Sequence, residues 1–121
     1  MDSKMVLVVD DQPLMVKLIT AVLETAGFEV RGTVDPDAAI EMAELLRESV
    51  QLLITDMRMT NMTGQELAAR VVRHCPDLPV IFISGDTPEE FDFVDDDRHL
   101  FLRKPFRNQA LVDCVRRLIG G

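Results

Sequence analysis

Short apolar runs alternate along the chain with longer stretches whose apolar residues recur every three or four positions. Residues 4–10, KMVLVVD, form a continuous apolar run closed by an acid, the pattern of a strand buried on both faces. In residues 12–27, QPLMVKLITAVLETAG, the residues Leu14, Leu18, Ile19, Val22 and Leu23 fall at helical spacing, with Pro13 near the start and Gly27 just past the end. Residues 28–34, FEVRGTV, predict a weaker second strand. In residues 35–49, Asp35 is a candidate N-cap ahead of Pro36, and Ala39, Ile40, Ala43 and Leu46 make an apolar stripe. A third strand, VQLLITD, covers residues 50–56, and a third helix, with Leu67, Val71 and Val72 turned inward, covers 63–75. Residues 78–85, LPVIFISG, have the β-branched content of a core strand, and residues 99–105, HLFLRKP, predict a shorter fifth one. The chain closes on a helix from residue 107, with Leu111, Val115 and Leu118 on one face and Arg116 and Arg117 near its end. Strands separated by helix-length segments imply βαβ units and a parallel sheet.

Residues 86–99, DTPEEFDFVDDDRH, are the exception. The alternation places a fourth helix here, and Pro88, Glu89 and Glu90 make a fair first turn. Asp95, Asp96 and Asp97 then stand together without a strong helix former nearby, which predicts a short helix followed by a turn.

The 121 residues are one domain's worth, and 47% hydrophobic content is enough for a core. A net charge of −8 argues against direct binding of nucleic acid, whose phosphates it repels. No apolar stretch reaches the ~20 residues of a membrane span, and the N-terminal segment lacks the form of a signal peptide. Cys75 and Cys114 lie far apart with no metal-type spacing, as expected of free thiols in the cytoplasm, and His74 and His99 are equally isolated.

The acids matter more by position. In an open parallel sheet, functional residues gather beyond the carboxyl ends of the strands. The first strand ends in Asp10 and Asp11, the third in Asp56, the fourth in Ser84 followed by Gly85 and Asp86, and the fifth in Lys104 and Pro105. Three clustered carboxylates repel one another unless a cation joins them, and oxygen ligands favour a hard ion such as Mg²⁺. A carboxylate so held can attack phosphorus and form an acyl phosphate. Lys104 and the Ser84 hydroxyl are the charge and donor that could bind the product.

The segments VVDDQ, LLITDMRMTNMTG, VIFISGD and FLRKPF, in that order, resemble the receiver domain of bacterial two-component response regulators, including those attached to hybrid histidine kinases. The resemblance covers nearly all of residues 1–121, taken as a single receiver domain. It implies a doubly wound, five-stranded parallel sheet in the order 2-1-3-4-5 flanked by five helices. It implies a signalling switch rather than an enzyme acting on external substrates. A histidine kinase or phosphotransfer protein would donate a phosphoryl group to Asp56 in the presence of Mg²⁺, with Mn²⁺ as a substitute. An effector outside the chain would read the result. By the same resemblance, Asp11 and Asp56 bind the metal directly, Asp10 does so directly or through water, and the backbone carbonyl of Arg58 adds a ligand. Ser84 and Lys104 contact the phosphoryl group, Ser84 and Phe101 form the switch, and the Lys104–Pro105 bond is cis. Gly64 matches the glycine of the loop after the acceptor.

Departures from the family pattern include Thr60, where Pro is frequent, an expected loosening of its loop. Arg58 and Asp86 carry opposite charges, and two readings stand side by side: they meet across the mouth of the site, or both are solvated and point apart. An aspartyl-phosphate phosphatase would want an acid two residues after its nucleophile, and neither Asp10 nor Asp56 has one there. A flavodoxin-like carrier would want a hydroxyl- and glycine-rich phosphate loop and aromatics, and the chain has no Trp or Tyr. A degenerate receiver would have lost an acid or the lysine.

Overall fold

The computed structural model describes residues 4–120, so the outermost residues assigned to the domain, 1–3 and 121, lie outside it. The chain runs β1 (Met5–Val9), α1 (Pro13–Thr25), β2 (Val30–Thr33), α2 (Pro36–Leu45), β3 (Val50–Asp56), α3 (Gly64–Val72), β4 (Val80–Ser84), a 3-10 turn (Pro88–Phe91), β5 (His99–Arg103) and α4 (Asn108–Ile119). The five strands form one sheet in the order β2-β1-β3-β4-β5, and every pairing is parallel. No helix among the described residues is long and apolar enough to cross a membrane.

Strand alternation divides the core into two layers. Leu7, Val9, Leu53, Val80 and Phe82 face α2 and α3, and meet Ala39, Ala43, Leu67 and Val71. Val6, Val8, Leu52, Ile54, Ile81 and Ile83 face α1 and α4, and meet Ile19, Leu23, Leu111 and Val115. All residues of β1 and β4 are buried, which explains why these strands read as unbroken apolar runs. Helix ends follow their sequence signals. Asp35 accepts from the Asp37 N–H at 3.0 Å, and Thr63 and Glu66 form a reciprocal capping box that starts α3.

Two expectations need correction. Four α-helices flank the sheet, not five, because the segment before β5 makes only one 3-10 turn. Its acids bond to backbone rather than extend a helix. Asp96 Oδ1 accepts from the N–H groups of Arg98 and His99 at 2.8 Å each, and Asp95 Oδ1 accepts from the Phe101 N–H at 3.1 Å. Such side-chain bonds compete directly with helix formation. Asp92 adopts φ 51°, which ends the turn, and Phe91 and Phe93 then pack over Phe101.

In α1, only part of the apolar spacing is buried. Ile19 and Leu23 are buried, but Leu14 and Leu18 are 78% and 44% exposed. Their row lies beside the sheet-facing one, and no neighbour among the described residues buries it. Leu18 instead edges a groove between α1 and α4. The second correction lies in α2, where Leu46 terminates the helix as its C-cap and is 38% exposed, so only Ala39 and Ala43 of the predicted stripe are buried, with Ile40 partly so.

Candidate functional site

Because every strand is parallel, all five carboxyl ends open on one edge of the sheet. Asp10 and Asp11 leave β1, and Asp56 ends its neighbour β3. Ser84 ends β4, and Lys104 follows β5. One carboxylate oxygen from each of Asp10, Asp11 and Asp56 lies within 4.8 Å of the other two.

Asp10 is 1% exposed. Its Oδ1 accepts from the Gln12 N–H at 2.9 Å, while Oδ2 is buried without a hydrogen-bond partner among the described residues. Lys104 Nζ stands between two acids, 3.6 Å from Asp10 Oδ2 and 3.5 Å from Asp56 Oδ2. Desolvation by burial pushes the pKa of both carboxyls up, Lys104 opposes the rise, and the neighbouring acids reinforce it. One lysine therefore does not neutralise the cluster. An all-oxygen donor set this close, with one buried oxygen unpartnered, fits a hard cation.

The loop from Met57 to Thr63 is tied down rather than slack. The Gly64 N–H donates to the Met57 carbonyl at 2.8 Å, and Arg58 bridges to Thr63. Gly64 is required by close approach, since a Cβ there would collide with the Asp56 carbonyl oxygen. Thr60 stands within this loop. Its hydroxyl donates to Asp11 Oδ2 at 3.1 Å.

Arg58 and Asp86 meet, with Nε 2.6 Å from Oδ2. The guanidinium also lies 4.0 Å from Glu90 and 4.8 Å from the centre of the Phe91 ring. It thus joins the loop after Asp56 to the 3-10 turn. Ser84 is buried, and its Oγ accepts from the Asp86 N–H at 3.0 Å. The Lys104 N–H donates to the Ser84 carbonyl at 2.8 Å, and the Lys104–Pro105 bond is cis. Phe101 is partly buried between the sheet and the aromatic rings of the preceding segment.

Sequence reasoning missed three features here. The bond from Thr60 to Asp11 and the stacking of Arg58 on Phe91 join residues far apart in sequence, and no local pattern marks either. The third is an apolar cleft of ≈ 360 Å³ lined by Met15, Leu18, Lys104, Pro105 and Phe106, residues drawn from α1 and from the segment after β5. The thiols stay apart from the site. Cys75 is buried against the carbonyls of Ala43 and Arg47, and burial raises the pKa of both thiols.

Comparison with known proteins agrees with this geometry. Residues 6–116 match the family described as the response regulator receiver domain. The chain is 33% identical to the C4-dicarboxylate transport transcriptional regulatory protein DctD of Pseudomonas aeruginosa over 94% of its own length and 25% of the relative's. It therefore spans about a quarter of such longer regulators. It is 31% identical to the response regulator receiver protein CpdR of Brucella abortus, covering 96% of this chain and 97% of that one. A crystal structure of a response regulator receiver protein from Sinorhizobium medicae superposes with a TM-score of 0.85 at 25% identity, covering 98% of this chain and 96% of that one. With the fold, the sheet-edge cluster and the match over residues 6–116 in agreement, the chain belongs to the receiver domain family of two-component response regulators.

Proposed function

We propose that this chain is a phosphorylation-dependent switch that takes a phosphoryl group onto Asp56 from a phosphohistidine of a histidine kinase or phosphotransfer protein. The observation that carries the reading is Lys104 Nζ placed between Asp56 and the buried Oδ2 of Asp10, which has no hydrogen-bond partner among the described residues. An Asp56 carboxylate oxygen attacks phosphorus in line. The bond from phosphorus to the donor imidazole nitrogen breaks, its electron pair stays on that nitrogen, and an acyl phosphate forms on Asp56. Asp10, Asp11, Asp56 and the Arg58 carbonyl would hold Mg²⁺, which supplies charge neutralisation at the phosphoryl oxygens when bound. The Lys104 ammonium pairs with one phosphoryl oxygen, and the Ser84 hydroxyl turns from its own loop to donate to another. Phe101 moves with Ser84, and the neighbouring surface changes shape.

The chain turns over no external substrate in this reading, and it assists only its own phosphorylation and dephosphorylation. Residues 1–121 act as one receiver unit in the cytoplasm, and an effector domain or protein outside them reads the change. Acetyl phosphate with Mg²⁺ tests the assignment. Mass spectrometry should find one phosphoryl group on the wild type and none on Asp56→Asn. Equal labelling of the Asn variant would refute it.

A further inference from the structure

The loop that follows the acceptor strand is held at its base, and its tip reaches a different strand's acid. The Met57 carbonyl accepts from Gly64, Arg58 bridges to Thr63, and Thr63 is locked by its capping box with Glu66. Arg58 adds its ion pair to Asp86 on the far side. Thr60 sits at the tip of this braced loop and donates to Asp11 Oδ2 at 3.1 Å across 49 residues of sequence. Asp11 is only partly buried and follows the end of β1, before helix α1 begins. The braced loop is therefore the fixed partner, and the Asp11 carboxylate is the group being oriented.

We propose that Thr60 is a positioning residue for the metal site, its hydroxyl holding Asp11 in the orientation that completes the carboxylate cluster. The proposal rests on the reading of Asp11 as a metal ligand. A carboxylate has four lone-pair sites, so accepting one hydrogen bond leaves it able to bind a cation. A carboxylate free to rotate must give up that freedom when the cation binds, and one already held gives up less. Thr60 thereby favours binding through Asp11 and touches neither phosphoryl group nor acceptor. The same hydroxyl could instead compete with the cation for Asp11 Oδ2, and the two roles predict opposite changes in affinity.

Binding of Mn²⁺ to the full chain, measured by calorimetry and by the loss of the free-ion electron spin resonance signal, separates them without any phosphoryl transfer. Thr60→Val keeps the shape and removes the donor. It should weaken Mn²⁺ binding by about three- to ten-fold, what a hydrogen bond to a charged oxygen contributes at a half-exposed site. Thr60→Ser should restore affinity to near the wild-type value. The melting temperature of Thr60→Val without metal should match the wild type, which separates positioning from general damage to the loop. In an Asp11→Asn background, Thr60→Val should change Mn²⁺ affinity much less. Unchanged or tighter binding by Thr60→Val with Asp11 intact overturns the proposal, as does failure of Thr60→Ser to restore it. Absence of Mn²⁺ binding by the wild type itself would instead overturn the metal-site reading, and this proposal with it.

Discussion

Replacing Asp10 by Asn should make the protein more stable, although it removes a buried charge that faces a lysine. At the 4.8 Å limit within which the three acids lie, two carboxylate charges repel by roughly 3.5 kcal/mol at an effective dielectric of about 20. The attraction of Lys104 for Asp10 across 3.6 Å is about 4.5 kcal/mol on the same scale. Asp10 faces two acids and one base, so net repulsion of roughly 2 kcal/mol remains, before the cost of burying the charge. Asn keeps an oxygen for the Gln12 N–H and turns an amide N–H₂ toward the neighbouring carboxylates. Allowing for solvent near the partly exposed Asp11, the gain should be about 1–2 kcal/mol, or roughly 3–10 °C in melting temperature for a domain of this size.

The effect has a defined pH window. Burial raises the Asp10 pKa above its ordinary 3.8. A group whose folded pKa is raised contributes stability that is fully present below the unfolded value and is lost as pH rises through the folded one. The wild type therefore carries the penalty at neutral pH, and the Asn variant escapes it. Melts followed by circular dichroism in a chelator should show the variant ahead at pH 7 and level with the wild type below pH ~3.8, where the carboxyl is protonated in both folded and unfolded chains. Added Mg²⁺ should narrow the difference by raising the wild type more than the variant. A variant less stable than the wild type at pH 7, or an advantage that persists at low pH, would refute the electrostatic account.

Three other outcomes follow from the same geometry. Asp11→Ala should show a smaller Mg²⁺-induced rise in melting temperature than the wild type, and an unchanged response would remove Asp11 from the site. Arg58→Ala should lose phosphate from Asp56 several-fold faster while still being phosphorylated, because the side chain held by Asp86, Glu90 and Phe91 no longer obstructs the attacking water; decay at the wild-type rate or slower, at fixed Mg²⁺, would end that idea. Gly64→Ala should cost about 1–3 kcal/mol in urea denaturation, since its Cβ meets the Asp56 backbone rather than a yielding side chain, and an unshifted midpoint would contradict the close approach.

Much of this protein is legible without coordinates because its informative patterns are local. Unbroken apolar runs such as VLVV and VIFI mark strands covered on both faces, and the spacing of Leu67 and Val71 marks a helix lying on them. Once the strands are taken as parallel, topology alone sends Asp10, Asp11, Asp56, Ser84 and Lys104 to one edge. Adjacency of β1 and β3 brings the acids together, and the long Lys104 side chain reaches them from the end of β5, one strand further away.

What the tertiary structure decided depends on which neighbour is present. Helical periodicity identifies rows of apolar residues but not which row a neighbour covers, and only the structure shows that Ile19 and Leu23 are buried while Leu14 and Leu18 are exposed. Residues 86–99 have the length of a helix, yet Asp95 and Asp96 accept from the backbone N–H groups of Arg98, His99 and Phe101, just before and within the edge strand, and those bonds outweigh a weak helix propensity. Opposite charge hinted at Arg58 and Asp86, but only the fold adds Phe91 beneath the guanidinium. Thr60 looked like a loss of rigidity because proline stiffens a loop through its own backbone. Its hydroxyl ties the loop to Asp11 instead, a bond that exists only when two separate strands end side by side.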